Sequence, residues 1–121
     1  MITFLIVDDS SIMRRKLKEI LTEAGYGIAG EAVNGKEAIE KYRELMPDMV
    51  TMDISMSVMS GIEAVKGIME IDGDALIIMV SALSQKKMVF DALKNGASHY
   101  ILKPIEKKKV LSVIKEVQEE I

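Results

Sequence analysis

Residues 3–10 read TFLIVDDS, an uncharged run that ends in two acids and a serine. A short run rich in aliphatic and β-branched residues predicts a buried strand over residues 3–7. Beyond it, apolar residues recur at the spacing of one helix face, and Gly25 is suited to the left-handed conformation that ends a helix. This stretch therefore predicts one strand followed by one helix. The apolar positions of the helix are Met13, Leu17, Ile20, Leu21 and Ala24.

Four further pairs of strand and helix follow this first unit. Alternation of short apolar runs with helical periodicity is typical of a parallel sheet with crossover helices. We therefore predict one α/β domain over residues 1–121, a doubly wound, five-stranded parallel sheet flanked by five helices. The later strands are predicted at 26–33, 49–52 with Asp53 at its end, 76–80 and 99–102. The apolar face of the second helix carries Ala38, Ile39, Tyr42 and Leu45, and that of the third carries Ile62, Val65, Ile68 and Met69. The fourth helix is predicted over 85–95, with Val89, Ala92 and Leu93 on its inner face and Gly96 as its stop. The apolar face of the fifth carries Val110, Ile114, Val117 and Ile121.

The composition excludes several classes of protein. With 121 residues, 49% hydrophobic and 29% charged, the chain has the size and balance of one globular domain. Cysteine is absent, which excludes disulfides, thiolate nucleophiles and cysteine-ligated zinc. The sequence shows no export signal and no apolar run of membrane-spanning length, and its net charge of −3 offers no footprint for nucleic acid. We expect a cytoplasmic protein that binds neither DNA nor a membrane directly.

Polar residues stand at the carboxyl ends of four predicted strands. Asp8 and Asp9 follow the first strand, Asp53 ends the third, Ser81 follows the fourth and Lys103 follows the fifth. Because ligands of open α/β sheets bind at this edge, we expect these side chains to meet there. Two like charges about 4 Å apart repel by roughly 4 kcal/mol at an effective dielectric near 20, so three acids need a cation. Mg²⁺ fits best, and the whole group is typical of phosphoryl transfer.

Four motifs, in this order, resemble those of the receiver domains of two-component response regulators. The match covers the whole chain, and the joint occurrence is far more specific than any single motif. The resemblance implies a flavodoxin-like fold and a phosphoacceptor that controls a partner protein. It implies no conventional enzyme, only self-phosphorylation and self-dephosphorylation. The motifs are LIVDDS at 5–10, VTMDISM at 50–56, MVSA at 79–82 and HYILKP at 99–104.

The resemblance also implies a role for the residues of the acidic group. Asp53 matches the aspartate that becomes an aspartyl phosphate, and Lys103 matches the lysine that contacts the phosphoryl group. Asp9, Asp53 and the backbone carbonyl of Ser55 match the direct ligands of Mg²⁺. Asp8 matches the acid that reaches the metal through water.

Two further matched residues imply a switch. Ser81 matches the hydroxyl that moves toward the phosphoryl group, and Tyr100 matches the aromatic residue that then turns inward. Pro104 would follow a cis peptide bond, which constrains Lys103. The face built by the fourth helix, fifth strand and fifth helix would then change its arrangement. The candidate partner contacts on that face are Lys86, Val89, Tyr100 and Leu102.

The resemblance also implies the classes of partner. The phosphoryl donor would be a sensor histidine kinase or a small donor such as acetyl phosphate. The fragments EAGYGIAGEAVNGKEAIEKY at 23–42 and VTMDISM are similar to stand-alone chemotaxis regulators, which bind the flagellar switch. The expected output is therefore control of such a target, or of an effector domain, by a monomer or a phosphorylation-dependent dimer.

The segment MSVMSG at 56–61 departs from the family pattern. Receivers usually carry a proline four residues after the acceptor, where this chain has Ser57, and Asp or Asn before the glycine, where it has Ser60. We expect a looser loop that keeps its ligands. Ser55 and Leu83 resemble positions that tune the lifetime of the phosphate. Because neither is acidic or an amide, we predict slow self-dephosphorylation.

Single residues also have simpler interpretations. The acid pair at 8–9 stands where helix capping favours acids, Ser81 is placed to cap the fourth helix, and Tyr100 is of a type that usually packs against a sheet. His99 has no second histidine to share a metal, so we interpret it as a surface residue. The run KKK at 107–109 is interpreted as a solvated helix end, although it resembles a nucleic-acid patch.

Three other functions remain open from the sequence. The chain would also fit a phosphorelay intermediate, or a receiver cut from a longer transcription regulator. A magnesium-dependent phosphatase with an aspartyl nucleophile is a second alternative, but such enzymes need an acid where this chain has Ser55. A nucleotide- or flavin-binding module is a third, and the absence of a glycine-rich phosphate loop argues against it.

Overall fold

The computed structural model describes residues 1–120, in which five strands alternate with five helices. Ile121, the last position of the apolar stripe predicted for the fifth helix, lies outside the described residues. The strands are β1 Thr3–Val7, β2 Gly27–Ala32, β3 Met49–Asp53, β4 Ile77–Ser81 and β5 His99–Leu102. The helices are α1 Ser11–Glu23, α2 Gly35–Leu45, α3 Gly61–Ile71, α4 Lys86–Lys94 and α5 Lys107–Gln118, with a short 3₁₀ helix, Leu83–Gln85, before α4.

The strands form one sheet in the order β2-β1-β3-β4-β5, and every neighbouring pair is parallel. This confirms the predicted doubly wound topology. The direction of winding reverses between β1 and β3, so the loops that follow these two strands diverge to opposite faces. Such a switch point leaves a crevice at the carboxyl ends of the strands.

Side chains of the sheet alternate between two apolar clusters. Leu5 and Val7 of β1 belong to the cluster covered by α2, α3 and α4, whereas Phe4 and Ile6 belong to the cluster covered by α1 and α5. All four are buried. Because helices cover both faces, the inner strands consist almost entirely of apolar residues and show no alternation with polar ones.

Local signals in the sequence define several helix ends. Ser10 caps α1 and Asn34 caps α2, each accepting the N–H of the residue three positions further on. Gly25 and Gly96, both predicted as helix stops, have φ angles of +92° and +119°. Glycine occupies this left-handed region without the steric penalty of a Cβ. The lengths of α1 and α4 therefore follow directly from the sequence.

Two predicted strands differ from the structure by one residue at each end, and two residues predicted on inner helix faces are exposed. β2 lacks both predicted end residues, and β4 is displaced so that Ser81 is its last residue. Ala24, predicted on the inner face of α1, is exposed because it already forms the C-cap of that helix. Leu45 is partly exposed because it is the last residue of α2. In residues 1–120, no helix combines the length and apolarity needed to cross a bilayer.

Candidate functional site

Three carboxylates meet where β1 and β3 end. Val7 and Met52 are partners in the ladder between these strands, so Asp8 and Asp53, the next residues, emerge side by side. One oxygen each from Asp8, Asp9 and Asp53 lies within 4.8 Å of the other two. Asp8 and Asp53 are buried, with exposures of 1% and 4%, and Asp9 is exposed. The structure thus brings together the three acids that the sequence placed at this edge.

Hydrogen bonds hold the loop between β1 and α1. Asp8 Oδ1 accepts the N–H of Ser10 at 2.9 Å, and the Asp8 carbonyl accepts Arg14 Nη1 at 2.7 Å. Arg14 is itself paired through Nε with Glu31 of β2 at 3.0 Å. Since Ser10 caps α1, helix capping does not account for the acid pair. The support from Arg14 was missed, because nothing in its spacing from Asp8 signals a contact with a backbone carbonyl.

The loop after Asp53 returns to it at Gly61. The N–H of Gly61 donates to the carbonyl of Ile54 at 2.8 Å. A Cβ on Gly61 would lie 2.3 Å from the carbonyl oxygen of Asp53, so only glycine fits without displacing the strand end. Val58, in the loop that departs from the family pattern, has a φ of +69°. A β-branched residue is strained in this left-handed conformation.

Lys103 approaches Asp53 from β5. Its backbone N–H donates to the carbonyl of Ser81 at 2.8 Å, and the bond between Lys103 and Pro104 is cis, as predicted. Lys103 Nζ lies 3.4 Å from Asp53 Oδ1. The structure therefore places one ammonium group against the cluster of three carboxylates.

The electrostatics of the cluster oppose ionisation of its buried members. Burial, together with the charge of Asp8, raises the pKa of Asp53 to about 6, although Lys103 acts in the opposite direction. Burial also raises the pKa of Asp8, which the hydrogen bond from Ser10 partly offsets. Both shifts mean that the negative charges lack sufficient compensation from the protein itself.

The donor set suits a hard divalent cation. Asp8 Oδ2 is buried and has no hydrogen-bond partner within the described residues. Oxygen ligands from several carboxylates are what Mg²⁺ and similar ions prefer. An unsatisfied oxygen, a crowded acidic cluster and two raised pKa values are therefore all consistent with a cation at this place.

The two serines singled out by sequence differ in burial and in hydrogen bonding. Ser81 ends β4, one residue beyond Val80, the ladder partner of Asp53. Its hydroxyl is fully buried and without a hydrogen-bond partner in the part of the chain that the structure describes. It therefore does not cap a helix. Ser55 is exposed, and its Oγ accepts a hydrogen bond from Gln85.

The four candidate partner contacts line one groove of about 140 Å³ between α4 and β5. Tyr100 is 40% exposed at its rim, and Val89, buried at 3%, forms part of its floor. Phe90, which the sequence reading missed, also lines the groove and is 52% exposed. Its signal was a large apolar side chain on α4 outside the inward-facing stripe.

Two other polar residues discussed from the sequence, His99 and Lys107, form pairs with glutamates at the surface. His99 Nε2 lies 2.5 Å from Glu116 Oε2 on α5. Lys107, the first residue of the lysine run, pairs with Glu23 of α1 at 3.3 Å. Both arrangements agree with the simpler interpretations of these residues as surface groups.

Comparisons with known proteins agree on one family. A family model described as "Response regulator receiver domain" matches residues 4–115. The Chemotaxis protein CheY of Thermotoga maritima is 54% identical over 93% of this chain and 94% of its own length. The Chemotaxis protein CheY of Bacillus subtilis is 50% identical over 91% and 92%.

Solved structures show the same fold. A chain from the CheX-CheY-BeF3-Mg+2 complex of Borrelia burgdorferi superposes with a TM-score of 0.93 and 40% identity, covering 97% of this chain and 89% of that one. The response regulator domain of Thermotoga maritima CheB superposes with a TM-score of 0.86 and 37% identity, covering 98% and 95%.

Proposed function

The chain belongs to the response regulator receiver domain family, and from this premise we propose that Asp53 is the residue that accepts the phosphoryl group. Receivers are the phosphoacceptors of two-component signalling, and this chain is one of them. One observation carries the choice of Asp53: within the acidic cluster, its carboxylate lies 3.4 Å from the Lys103 ammonium. Asp8, in contrast, already accepts the Ser10 N–H. In this proposal residues 1–121 act as a single receiver domain.

Mg²⁺ is the proposed cofactor, held by Asp8, Asp9, Asp53 and the backbone carbonyl of Ser55. When bound, the cation neutralises the carboxylates and the oxygens of the arriving phosphoryl group. The raised pKa of Asp53, caused chiefly by burial, supports a need for such a charge. The solved relative from Borrelia burgdorferi, a complex with BeF3 and Mg+2, supports the same assignment.

The chemistry proposed for the protein's own groups is one of positioning and charge neutralisation. An oxygen of Asp53 attacks the phosphorus of a phosphohistidine or of acetyl phosphate, and the donor's bond to phosphorus breaks. Lys103 neutralises a phosphoryl oxygen, and Ser81 donates its O–H to another. The protein supplies self-phosphorylation and self-dephosphorylation and no further turnover. Its contribution is preorganised geometry, since the donor is already energy-rich.

The proposed output is a population shift that begins at Ser81. Its buried hydroxyl has no hydrogen-bond partner among residues 1–120, so a phosphoryl oxygen would satisfy it and draw the loop after β4 toward Asp53. Tyr100, 40% exposed beside that loop, would then turn inward. The groove lined by Lys86, Val89, Tyr100 and Leu102 would change with it and so alter binding of a partner.

The proposed partners are a sensor histidine kinase and a downstream protein target. Relatives 54% and 50% identical over nearly their whole length are named chemotaxis proteins, which supports chemotaxis as the pathway and the flagellar switch as the target. The proposed setting is the cytoplasm, and the proposed state is a monomer or a phosphorylation-dependent dimer.

Slow self-dephosphorylation is proposed from two side chains. Ser55 and Leu83, two residues after Asp53 and Ser81 respectively, are both exposed, and neither carries a carboxylate or an amide to align an attacking water. A phosphate half-life of only seconds would contradict this proposal.

Incubation with acetyl phosphate, with and without Mg²⁺, tests the acceptor by intact mass. The wild-type chain is expected to gain one phosphoryl group only when Mg²⁺ is present. Asp53→Asn is expected to gain none, and Asp91→Asn, the same change on the exposed face of α4, is expected to behave as wild type. A Mg²⁺-dependent gain that survives Asp53→Asn would refute the assignment.

A further inference from the structure

One side chain bridges the two loops beside Asp53. Gln85 accepts the Ala82 N–H through Oε1 at 2.8 Å and donates through Nε2 to Ser55 Oγ at 2.5 Å. Ala82 directly follows Ser81, and Ser55 stands two residues after Asp53. A single amide group therefore joins the loop of the hydroxyl to the loop of the acceptor.

This bridge is the outermost connection between the two loops. The ladder between β3 and β4 ends where the Ile54 N–H donates to the Val80 carbonyl at 3.3 Å, a long hydrogen bond. Beyond it, within the described part of the chain, the amide of Gln85 makes the only hydrogen bond between the segments 55–60 and 82–86. The relative position of the two loops therefore depends on Gln85.

The bridge coexists with an unsatisfied hydroxyl. Ser81 Oγ is buried and has no partner among the described residues, although a buried hydroxyl without a hydrogen bond is unfavourable. Backbone hydrogen bonds hold Ser81 through its carbonyl, and Gln85 holds the N–H of the following residue. The arrangement thus keeps the hydroxyl in place while leaving its bonding capacity unused.

We propose that Gln85 is a positioning residue that restrains the Ser81 loop in its unphosphorylated arrangement. The inference rests on the proposed function, which provides a phosphoryl oxygen for Ser81. The Ser81 carbonyl and the Ala82 N–H belong to one peptide group, so a backbone displacement that brings the Ser81 hydroxyl to a phosphoryl group on Asp53 also displaces the N–H that is bonded to Gln85. Binding of a phosphoryl group therefore works against the bridge, and removal of the bridge favours binding.

Beryllofluoride, a stable phosphoryl analogue, tests this restraint in the presence of Mg²⁺. Gln85→Met removes both side-chain hydrogen bonds and keeps a similar length and volume. Its affinity for beryllofluoride is expected to rise about threefold to tenfold, because a net hydrogen bond corresponds to roughly that factor. The affinity for Mg²⁺ alone is expected to stay unchanged, since no proposed ligand is altered. An unchanged or weakened beryllofluoride affinity would overturn the proposal.

Ser55→Ala removes only one end of the bridge and, at an exposed position, leaves the fold intact. It is expected to tighten beryllofluoride binding in the same direction. The double variant Gln85→Met/Ser55→Ala is expected to match Gln85→Met alone, because both changes break one connection. Fully additive effects would show that the two residues act separately and would refute the bridge.

Two matched controls make the same side-chain changes at positions outside the bridge. Gln118→Met makes the same change at the end of α5, and Ser84→Ala makes the serine change next to Gln85. Both are expected to bind beryllofluoride as wild type does. A second readout is hydrogen exchange of the Ala82 amide in the ligand-free protein, which is expected to be faster in Gln85→Met. An equal rate would contradict the bridge.

These binding measurements distinguish failure of the restraint from failure of the proposed function. If wild type does not bind beryllofluoride, or if Asp53→Asn binds it equally well, the acceptor assignment fails. If wild type binds and only the response of Gln85→Met is absent, the restraint alone fails.

Discussion

At the amino edge of the sheet, where the strands begin, Asp48 and Asp72 lie among hydrogen-bond donors. At the carboxyl edge, where the strands end, Asp8 and Asp53 lie among other carboxylates. The two edges belong to the same five strands and are closed by loops of similar length. The carboxyl edge also holds the crevice of the switch point, and the two edges differ further in side-chain chemistry.

The acids of the amino edge complete the fold. Asp48 Oδ2 accepts the N–H of Thr3 at the start of β1, at 2.8 Å. Asp72 uses both oxygens, accepting the Tyr42 hydroxyl at 2.8 Å and the Asp74 N–H at 2.9 Å. These two carboxylates thus accept hydrogen bonds from neighbouring N–H and O–H groups, which stabilises the native state.

Without a cation, the ionised acids of the carboxyl edge destabilise the folded state. Asp8 and Asp53 are buried close together with raised pKa values, chiefly because burial disfavours their charge. Val58 adds a strained backbone, and Ser81 adds a hydroxyl without a hydrogen-bond partner in the described residues. Such features concentrate where a site is held ready for a ligand. The acids of the amino edge thus stabilise the fold, whereas those of the carboxyl edge form a site suited to binding.

The largest expected loss of stability comes from adding one methyl group to a glycine at the carboxyl edge. Gly61→Ala is expected to destabilise the protein by about 3 kcal/mol, because the new Cβ overlaps with backbone atoms and the backbone must move to relieve the overlap. The nearest atom is the Asp53 carbonyl oxygen, at 2.3 Å. Denaturant unfolding measures the loss, and a Mg²⁺ titration is expected to show weaker binding.

Gly73→Ala is the matched change at the amino edge. A Cβ at Gly73 meets no atom within 4 Å, so its effect is expected to stay within about 0.5 kcal/mol. Equal losses in Gly61→Ala and Gly73→Ala would remove the difference that we draw between the edges.

The next effect comes from removing the charge of one carboxylate at each edge, and the change in folding stability is expected to have opposite signs. At neutral pH without metal, Asp53→Asn is expected to stabilise the fold by about 3 kcal/mol, because burial raises the pKa of Asp53 from 3.8 to about 6 and each pKa unit corresponds to about 1.4 kcal/mol. Asp72→Asn is expected to destabilise it by about 1 kcal/mol, since an amide has one acceptor oxygen for two donors. Unfolding experiments on both variants decide the signs.

The pH dependence identifies the cause of the Asp53 effect. Burial raises the folded-state pKa from 3.8 to about 6, so the folded protein keeps a proton that the unfolded chain has already lost. This contribution to stability is therefore present at low pH and is lost as the pH rises from about 4 through 6. The gap between Asp53→Asn and wild type is expected to be near zero at about pH 4 and full above about pH 6.5. A gap independent of pH would contradict this origin.

The smallest effect is at Val58. Val58→Asn is expected to stabilise the protein by about 1 kcal/mol, because asparagine tolerates the left-handed conformation better than a β-branched residue. Thermal unfolding measures the gain. Val33→Asn changes a partly exposed valine whose φ is not positive and is expected to give no gain. A similar gain in both variants would point to surface polarity instead of backbone strain.

Much of the site was predictable because it lies on regular elements. Asp8, Asp53 and Lys103 each follow a strand whose apolar run is visible in the sequence, and parallel pairing brings the ends of such strands together. Arg14 and Gln85 escaped prediction for the opposite reason. Their contacts are to backbone groups or across loops, and these depend on where two separate loops come to lie.

The alternation of strands and helices, the doubly wound topology and the meeting of three acids with one lysine could all be predicted from the sequence. Apolar periodicity and the direction of parallel strands leave few other arrangements open. The packed fold was needed to show which oxygens among residues 1–120 lack partners, that Gly61 must remain glycine against Asp53, and that Gln85 joins two loops. These properties depend on distances of a few ångströms between segments remote in sequence, and no local pattern encodes them.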